Sequence, residues 1–382
     1  MFGNWKRLIG AVALSAALAA CQVVPKGQGP VVAPRPVPTA TPGQLPQDEG
    51  RHRIALLVPL SGANGAVGQS IANATTMALL DTNAANLRIT TYDTATGADS
   101  AAARAIADGN KLILGPLLGD DVKVVAAKAR PARVPLISFS NDRSVAARDV
   151  FVMGVLPEES IARTVAYASA HGAKRFAAIV PTGDYGRHAQ AALTDRVKAV
   201  GGVLVATETY DRGNTSIISA AERLRAKGGF DTVLVADGAR LSAIAAGALK
   251  KAGVALPRLL GTELWSGEDD LTKATALRGA WFSAVSDQRW GRYASSYKSR
   301  FGNQPYRISA LGYDAVLLTL RIARDWTPGR DFPTSHMFDS VGFLGIDGAF
   351  RFQSNGIAER AMEVRQVGNG TVTVVSPAPS QF

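Results

Sequence analysis

The sequence predicts an α/β fold of two doubly wound lobes followed by C-terminal β-hairpin strands. Three observations predict it. From Arg53 to Gly261, apolar runs of strand length alternate with helical stretches of about 10 to 15 residues, the pattern of βαβ units and parallel sheets. At least eight such strands precede Glu263, more than one small sheet takes, and the 382 residues are about twice a typical domain. Beyond Gly348 the pattern changes to short runs separated by Ser354-Asn355-Gly356 and Gly368-Asn369-Gly370, which are hairpin turn signals.

The chain opens with an address rather than an element of the fold. Lys6 and Arg7 precede the 13-residue apolar run Leu8 to Ala20, the layout of a secretory signal peptide over residues 1–20. The run is too short to span a membrane as a helix. It ends Leu18-Ala19-Ala20-Cys21, and Cys21 is the only cysteine in the chain, so no intramolecular disulfide forms. Residues 21–50 then carry seven prolines and no aromatic residue. Such a segment buries no core and reads as an extended tether, about 90 Å long at about 3.1 Å per residue.

The body follows in order. Arg53 to Val58 reads as a buried strand, Pro59 to Gly68 as a Gly/Ser/Asn loop and Gln69 to Thr82 as a helix. Strands are predicted at 87–92, 111–114 and 135–139, with helices at 99–108 and 120–130 between them. The unit repeats with helices at 158–171, 186–200, 217–227 and 241–252, and strands at 176–180, 203–210, 232–236 and 258–261. The closing strands are predicted at 348–352, 361–367 and 371–375.

In open α/β sheets, ligands bind beyond the carboxyl ends of the strands. The loops there carry Ser61 after the first strand; Ser138, Ser140 and Asn141 after the fourth; and Tyr185, Asp237 and Glu263 in the second half. These are the candidate contacts of one cleft between the lobes. Short polar residues at these places also serve as helix caps and turn formers, and both readings stand.

Enzyme signatures are missing. The chain has no H-E-x-x-H and no G-x-S-x-G. Ser295 and Lys298 match S-x-x-K, but Trp290, Tyr293, Tyr297 and Phe301 repeat around them at helical spacing, which marks an ordinary amphipathic helix. The glycines of the first loop do not have dinucleotide or P-loop spacing. The sequence thus implies no catalytic residue, no cofactor and no metal site. Lys and Arg exceed Asp and Glu by 11. For an exported chain that excess favours anionic lipid, wall polymer or an acidic protein face over nucleic acid. It is densest from Arg289 to Arg330, with eight basic and two acidic residues, which reads as a solvated helix face or an acidic partner's docking surface.

Several of these segments together resemble known families. Leu18-Ala19-Ala20-Cys21 is similar to the lipobox of bacterial lipoproteins, which implies lipidation of Cys21 and attachment to a membrane through the lipid. Gln22 rather than Asp after it implies the outer membrane, facing the periplasm. The order Ile54 to Gly62, Leu114-Gly115-Pro116, Val134 to Ser138, Asp184-Tyr185-Gly186 and Leu311 to Ala315 resembles the type 1 periplasmic binding fold of leucine/isoleucine/valine-binding proteins. The resemblance covers residues 53–376 and implies two Rossmann-like lobes with crossings near Leu156, Ala284 and Val341. The lobes would then be 51–155 plus 284–340 and 156–283 plus 341–376. Amino-acid receptors of this fold present a Ser or Thr after Gly-Pro to the ligand carboxylate, whereas here the loop reads Leu117-Leu118-Gly119.

The segments Phe139 to Ser144, Gly342 to Gly348 and Asn355 to Arg360 resemble the penicillin-binding protein activators, a lipoprotein branch of the same fold. That resemblance implies a non-enzymatic outer-membrane lipoprotein that regulates peptidoglycan synthesis by binding a synthase. The alternative is a solute receptor for amino acids or related small molecules, feeding an ABC importer from a ligand in the inter-lobe cleft.

Overall fold

Ile54 to Val58 is an apolar run closed by Pro59, and with His52 and Arg53 it forms β1 (His52–Val58), a buried interior strand of the first lobe. The computed structural model describes residues 50–250 and 256–379. The predicted signal peptide, Cys21 and all of the tether but Gly50 lie outside the described residues, as does the predicted helical segment beyond Lys250.

After β1 come α1 (Gly65–Asp81), β2 (Leu87–Asp93), α2 (Ala98–Ala107), β3 (Leu112–Leu114), α3 (Gly119–Ala129), β4 (Leu136–Ser138) and β5 (Val150–Val152). These strands form one parallel sheet in the order β2-β1-β3-β4-β5. Strands β1, β3, β4 and β5 are buried on both faces, which is why they read as near-continuous apolar runs, whereas the edge strand β2 is only partly buried. One face packs on α1, and the other packs on the alanine-rich sides of α2 and α3.

The second lobe repeats the plan with α4 (Pro157–Ala170), β6 (Arg175–Pro181), α5 (Asp184–Ala199), β7 (Val203–Tyr210), α6 (Ser216–Lys227), β8 (Thr232–Val235), α7 (Ala239–Leu249), β9 (Arg258–Leu260), the short α8 (Asp270–Lys273) and β10 (Trp281–Val285). The chain then returns to the first lobe with α9 (Trp290–Phe301), α10 (Ala310–Ile322), β11 (Phe343–Gly345), β12 (Gly348–Phe352) and β13 (Ala358–Arg360). It closes with β14 (Met362–Val367) and β15 (Val372–Ser376) in the second lobe. That lobe's sheet has the order β15-β14-β10-β9-β8-β6-β7, parallel except where β14 pairs antiparallel with β10 and β15. The architecture is the predicted α/β pair of doubly wound lobes.

Helix α9 is the amphipathic segment read around Ser295 and Lys298. Tyr293 and Tyr297 are buried against Ala74 and Met77 of α1, so the S-x-x-K match lies on a packing helix.

The end of the chain differs from the sequence reading in two ways. The turn at Ser354-Asn355-Gly356 joins β12 to β13, not to the run after Ala361, which instead pairs with β10 and β15. In addition, Phe343, Phe350, Phe352 and Ala358 sit in the first-lobe core with Phe151, Leu311 and Met337. We therefore place the third crossing at Arg360–Met362 rather than near Val341. The alternating apolar residues specify that one face of this hairpin is buried, but not against which lobe. Strands β5, β10, β11 and β13 are three to five residues long, too short for a strand pattern to stand out, and fall outside the strands the sequence predicts.

Candidate functional site

The two lobes face each other across a cleft built from the loops after their parallel strands. Gly115 ends β3 at φ +101°, and a Cβ there would lie 2.1 Å from the carbonyl oxygen of Leu57 on β1. Only glycine permits that approach, and it delivers Pro116 to Gly119 into the cleft. From the second lobe, Thr262 leads out of β9 into a 3-10 turn, Glu263–Trp265. Trp265 is fully buried, and its indole nitrogen donates to the carbonyl of Asp237 (2.8 Å) and to Ser242 (3.1 Å). That anchor fixes the turn and so positions Glu263 at the cleft wall.

The cleft holds a cavity of about 440 Å3. Its apolar wall includes Val67, Leu117, Leu118, Phe139, Ile308 and Leu311, and its polar groups include Asn141, Glu263, Arg307 and Asp347. A smaller pocket of about 200 Å3 adjoins it, sharing Leu117, Leu118 and Asn141 and adding Ser140, Tyr185 and His188. The Tyr185 hydroxyl donates to Glu263 Oε1 at 2.9 Å and lies 2.9 Å from Thr262 Oγ1. Glu263 Oε2 is buried and has no partner among the described residues. Burial pushes the Glu263 carboxyl up to about 7, against the pull of the Tyr185 hydrogen bond. Burial, then the neighbouring Glu263, holds the Tyr185 phenol well above its ordinary range.

The sequence matches the Periplasmic binding protein family over residues 52–371. The chain belongs to the periplasmic binding protein family. Members of this family bind substrates rather than transform them, and they work in the periplasm or cell envelope. Among solved structures, the fold is similar to a putative branched-chain amino acid ABC transporter protein from Rhodospirillum rubrum (TM-score 0.73, 20% identity, covering 85% of this chain and 100% of that one). It is also similar to the leucine binding protein of Thermotoga maritima (TM-score 0.66, 20% identity, 86% and 99% covered). A third is a Rhodopseudomonas palustris solute binding protein in complex with 3,4-dihydroxybenzoic acid (TM-score 0.70, 18% identity, 86% and 97% covered). An uncharacterized protein of Rickettsia prowazekii is 27% identical over 180 residues, 47% of this chain. The matched stretch spans about half of that curated relative, 48% of its length.

Within this periplasmic binding protein the candidate residues divide into three groups. Glu263 and Asn141 line the main cavity, and Ser140, Asn141 and Tyr185 line the adjoining pocket. Ser138 and Asp237 hold the walls from behind. Ser138, fully buried, donates to the Pro116 carbonyl (3.1 Å) and accepts from the Ser140 N–H (3.1 Å), tying the two first-lobe loops together. Asp237 accepts from Arg212 (2.7 Å), from the Tyr210 hydroxyl and from the Gly238 N–H. It lines neither pocket. Ser61 is exposed at the start of its loop, bonds Asp93 and also lines neither pocket.

The basic excess from Arg289 to Arg330 is not one solvated face. Arg300 pairs with Asp81 and Arg321 with Asp339, while Arg289 donates to the Gly345 carbonyl. Arg307 lines the cavity, stacks 4.3 Å over Trp290 and pairs with Asp347 and Asp287. Asp287 in turn binds Arg365, which also bonds Glu363 (2.8 Å) and the Val285 carbonyl (2.5 Å). This ion chain runs from the first lobe across the second crossing into β14. Asp347 is fixed by Asp314, whose carboxylate accepts the N–H groups of Ile346 (2.6 Å) and Asp347 (3.3 Å). Burial, then the adjacent Asp347, pushes the Asp314 carboxyl up to about 7. Arg307 and Asp347 carry no local signal, because their partners lie 20 and 40 residues away. Among the described residues no group of His, Cys, Asp and Glu is arranged to hold a metal ion.

Proposed function

We propose that this chain is a solute-binding receptor of the cell envelope that captures an apolar amino acid or related amine between its lobes and presents it to an importer. The observation that carries this reading is Glu263 Oε2, a buried carboxylate oxygen without a partner at the wall of a largely apolar cavity. A buried polar atom left unpaired is costly. A ligand ammonium would satisfy it while Tyr185 keeps Oε1, and Val67, Phe139 and Leu311 would enclose the apolar body. The structural relatives from Thermotoga and Rhodopseudomonas, a leucine binding protein and a protein complexed with a small aromatic acid, support a small-molecule occupant.

The test is calorimetry and thermal unfolding of the mature chain with apolar amino acids and primary amines. A true ligand at 100 times its Kd raises stability by about 2.7 kcal/mol, and Glu263→Gln removes the response. Absence of stabilisation by any amine, or equal binding by the Gln variant, overturns this reading.

A second reading, regulation of a peptidoglycan synthase by an outer-membrane lipoprotein anchored through Cys21, is favoured by one observation. Phe338, Val341 and Leu344 are exposed apolar residues in and beside the Gly342–Gly348 segment that carries that resemblance. Affinity capture of the lipidated protein from crosslinked envelopes separates the two. Enrichment of a penicillin-binding protein supports the second reading, and enrichment of importer permease subunits supports the first.

A further inference from the structure

The second lobe holds another cavity, of about 470 Å3, at the end of its sheet away from the cleft. It opens between the C-terminal end of α4 and the first residues of β8, β9 and β10, and its walls include His171, Asp231, Arg258, Arg278, Gly279 and Trp281. Trp281 begins β10, whereas Ala284 and Val285 near the other end of that strand line the cleft. The two cavities are therefore separate.

The indole of Trp281 is held rigidly. Arg258 lies 4.2 Å over its face, and Tyr167 and His171 meet it edge-on at 5.0 and 5.5 Å. Trp281 is only 8% exposed, yet its Nε1 has no hydrogen-bond partner among the described residues. Indole is a donor only, so this buried N–H needs an acceptor that the described residues do not supply. The groups around it are mostly donors as well. Arg258, an exposed residue, donates Nη1 to the Gly279 carbonyl (2.7 Å). Arg278 is exposed, and among the described residues its guanidinium makes no hydrogen bond or ion pair. His171 uses Nδ1 on the Tyr167 carbonyl (2.8 Å), leaving Nε2 free. The one nearby acid, Asp231, is already engaged by the N–H groups of Lys174 and Arg175 and by the Thr232 hydroxyl.

We propose that this cavity is a second ligand site, for an oxyanion group of the carboxylate or phosphate class. One anion oxygen accepts from Trp281 Nε1, and Arg258 and Arg278 supply the charge and the remaining donors. Oxyanion geometry suits paired guanidinium donors, whereas a cation would find no free acceptor side chain.

The experiment titrates the full mature chain, labelled with 15N, with inorganic phosphate and separately with succinate, at constant ionic strength set by chloride. The Trp281 indole signal is assigned with Trp281→Phe. The expected result is a saturable shift of that signal with phosphate, succinate or both, and no saturable shift with chloride alone. The anion that saturates first names the class. In the Arg258→Ala/Arg278→Ala variant the apparent affinity falls by about tenfold or more. The indole signals of Trp265, Trp290 and Trp326 should stay in place and report that this variant is folded. If it is not, Arg278→Glu, a single exposed change, replaces it. No saturable shift with either anion, an equal response to chloride, or an unchanged affinity in the folded arginine variant overturns the proposal.

Discussion

Glu263→Gln should stabilise the ligand-free chain, by an amount that grows as pH rises from 4.5 and levels off above about 7. In the folded chain burial pushes the Glu263 carboxyl from its ordinary value of 4.5 up to about 7. Below pH 4.5 the group is protonated in both states and costs nothing. Between 4.5 and 7 the unfolded chain gives up its proton first, so the unfolded state binds fewer protons and stability falls as pH rises. Above 7 the folded chain also ionises, and the penalty levels off at about 3 kcal/mol, from 1.36 kcal/mol for each pH unit between the two values. Gln is close in shape to the protonated acid and can still accept from Tyr185, so it removes the charge without emptying the site.

The assay is urea unfolding of both proteins at intervals from pH 5 to pH 9. The stability difference, variant minus wild type, should be smallest at the acid end, about 0.7 kcal/mol at pH 5, climb through pH 6 and flatten above pH 7. The m-values should match, so that the midpoints compare directly. A flat difference across this range would refute the argument, since it would mean that Glu263 is solvated or already paired. A difference of the opposite sign would mean that the ionised carboxylate has a cationic partner in the unliganded chain.

Three further outcomes follow from particular contacts. Asp237→Asn weakens the charge-assisted bonds to Arg212 and Tyr210 and should lower stability by about 1.5 to 3 kcal/mol; because Asp237 lines neither pocket, calorimetry should find the ligand affinity of the folded variant changed much less than in Glu263→Gln. Arg365→Met strips the buried partner from Glu363 and Asp287 and should cost about 3 to 5 kcal/mol by urea unfolding, whereas the exposed Lys123→Met, across a surface pair with Asp120, should cost less than about 1 kcal/mol. Cys21→Ser should move the exported chain from the membrane fraction to the soluble periplasmic fraction, read by blotting after fractionation, because the proposed anchor depends on that one sulfur.

The lobes were legible because their information is local. A run such as His52–Val58, closed by Pro59 and followed by the small residues of α1, announces strand, loop and helix without reference to anything distant. Glu263, Tyr185, Ser140 and Asn141 were reachable for the same reason: a residue just past a parallel strand is at the cleft end of the sheet wherever the other strands lie. The same rule also selected Ser61 and Asp237, and position alone could not show that Ser61 faces solvent or that Asp237 serves Tyr210 and Arg212. What stayed hidden was non-local. Arg307 reads as one more charge in a basic segment until the fold brings Asp287 and Asp347 to it. The hairpin of Phe350 and Phe352 likewise shows a buried face without naming the lobe that buries it.

The ion chain at the crossings bears on how the cleft can move. Its members are unequal: Arg365 and Glu363 have only 5% and 7% of their side chains exposed, while Asp287, between Arg307 and Arg365, has 43%. Separating a buried ion from its partner is costly, whereas loosening a half-exposed carboxylate costs little because water replaces the contact. The weak joint of the chain is therefore Asp287, and it lies on the segment between β10 and α9, where the backbone passes from one lobe to the other. The strong joints lie within the lobes, Asp347 against Arg307 in the first and Arg365 against Glu363 and Val285 in the second. A lobe rotation that bends at residues 286–289 would leave the buried bonds of Arg365 to Glu363 and Val285 in place and exchange the Asp287 contact that solvent already reaches. Arg307 lines the cavity and also holds Asp287, so the residue that touches the occupant's space touches the pivot as well.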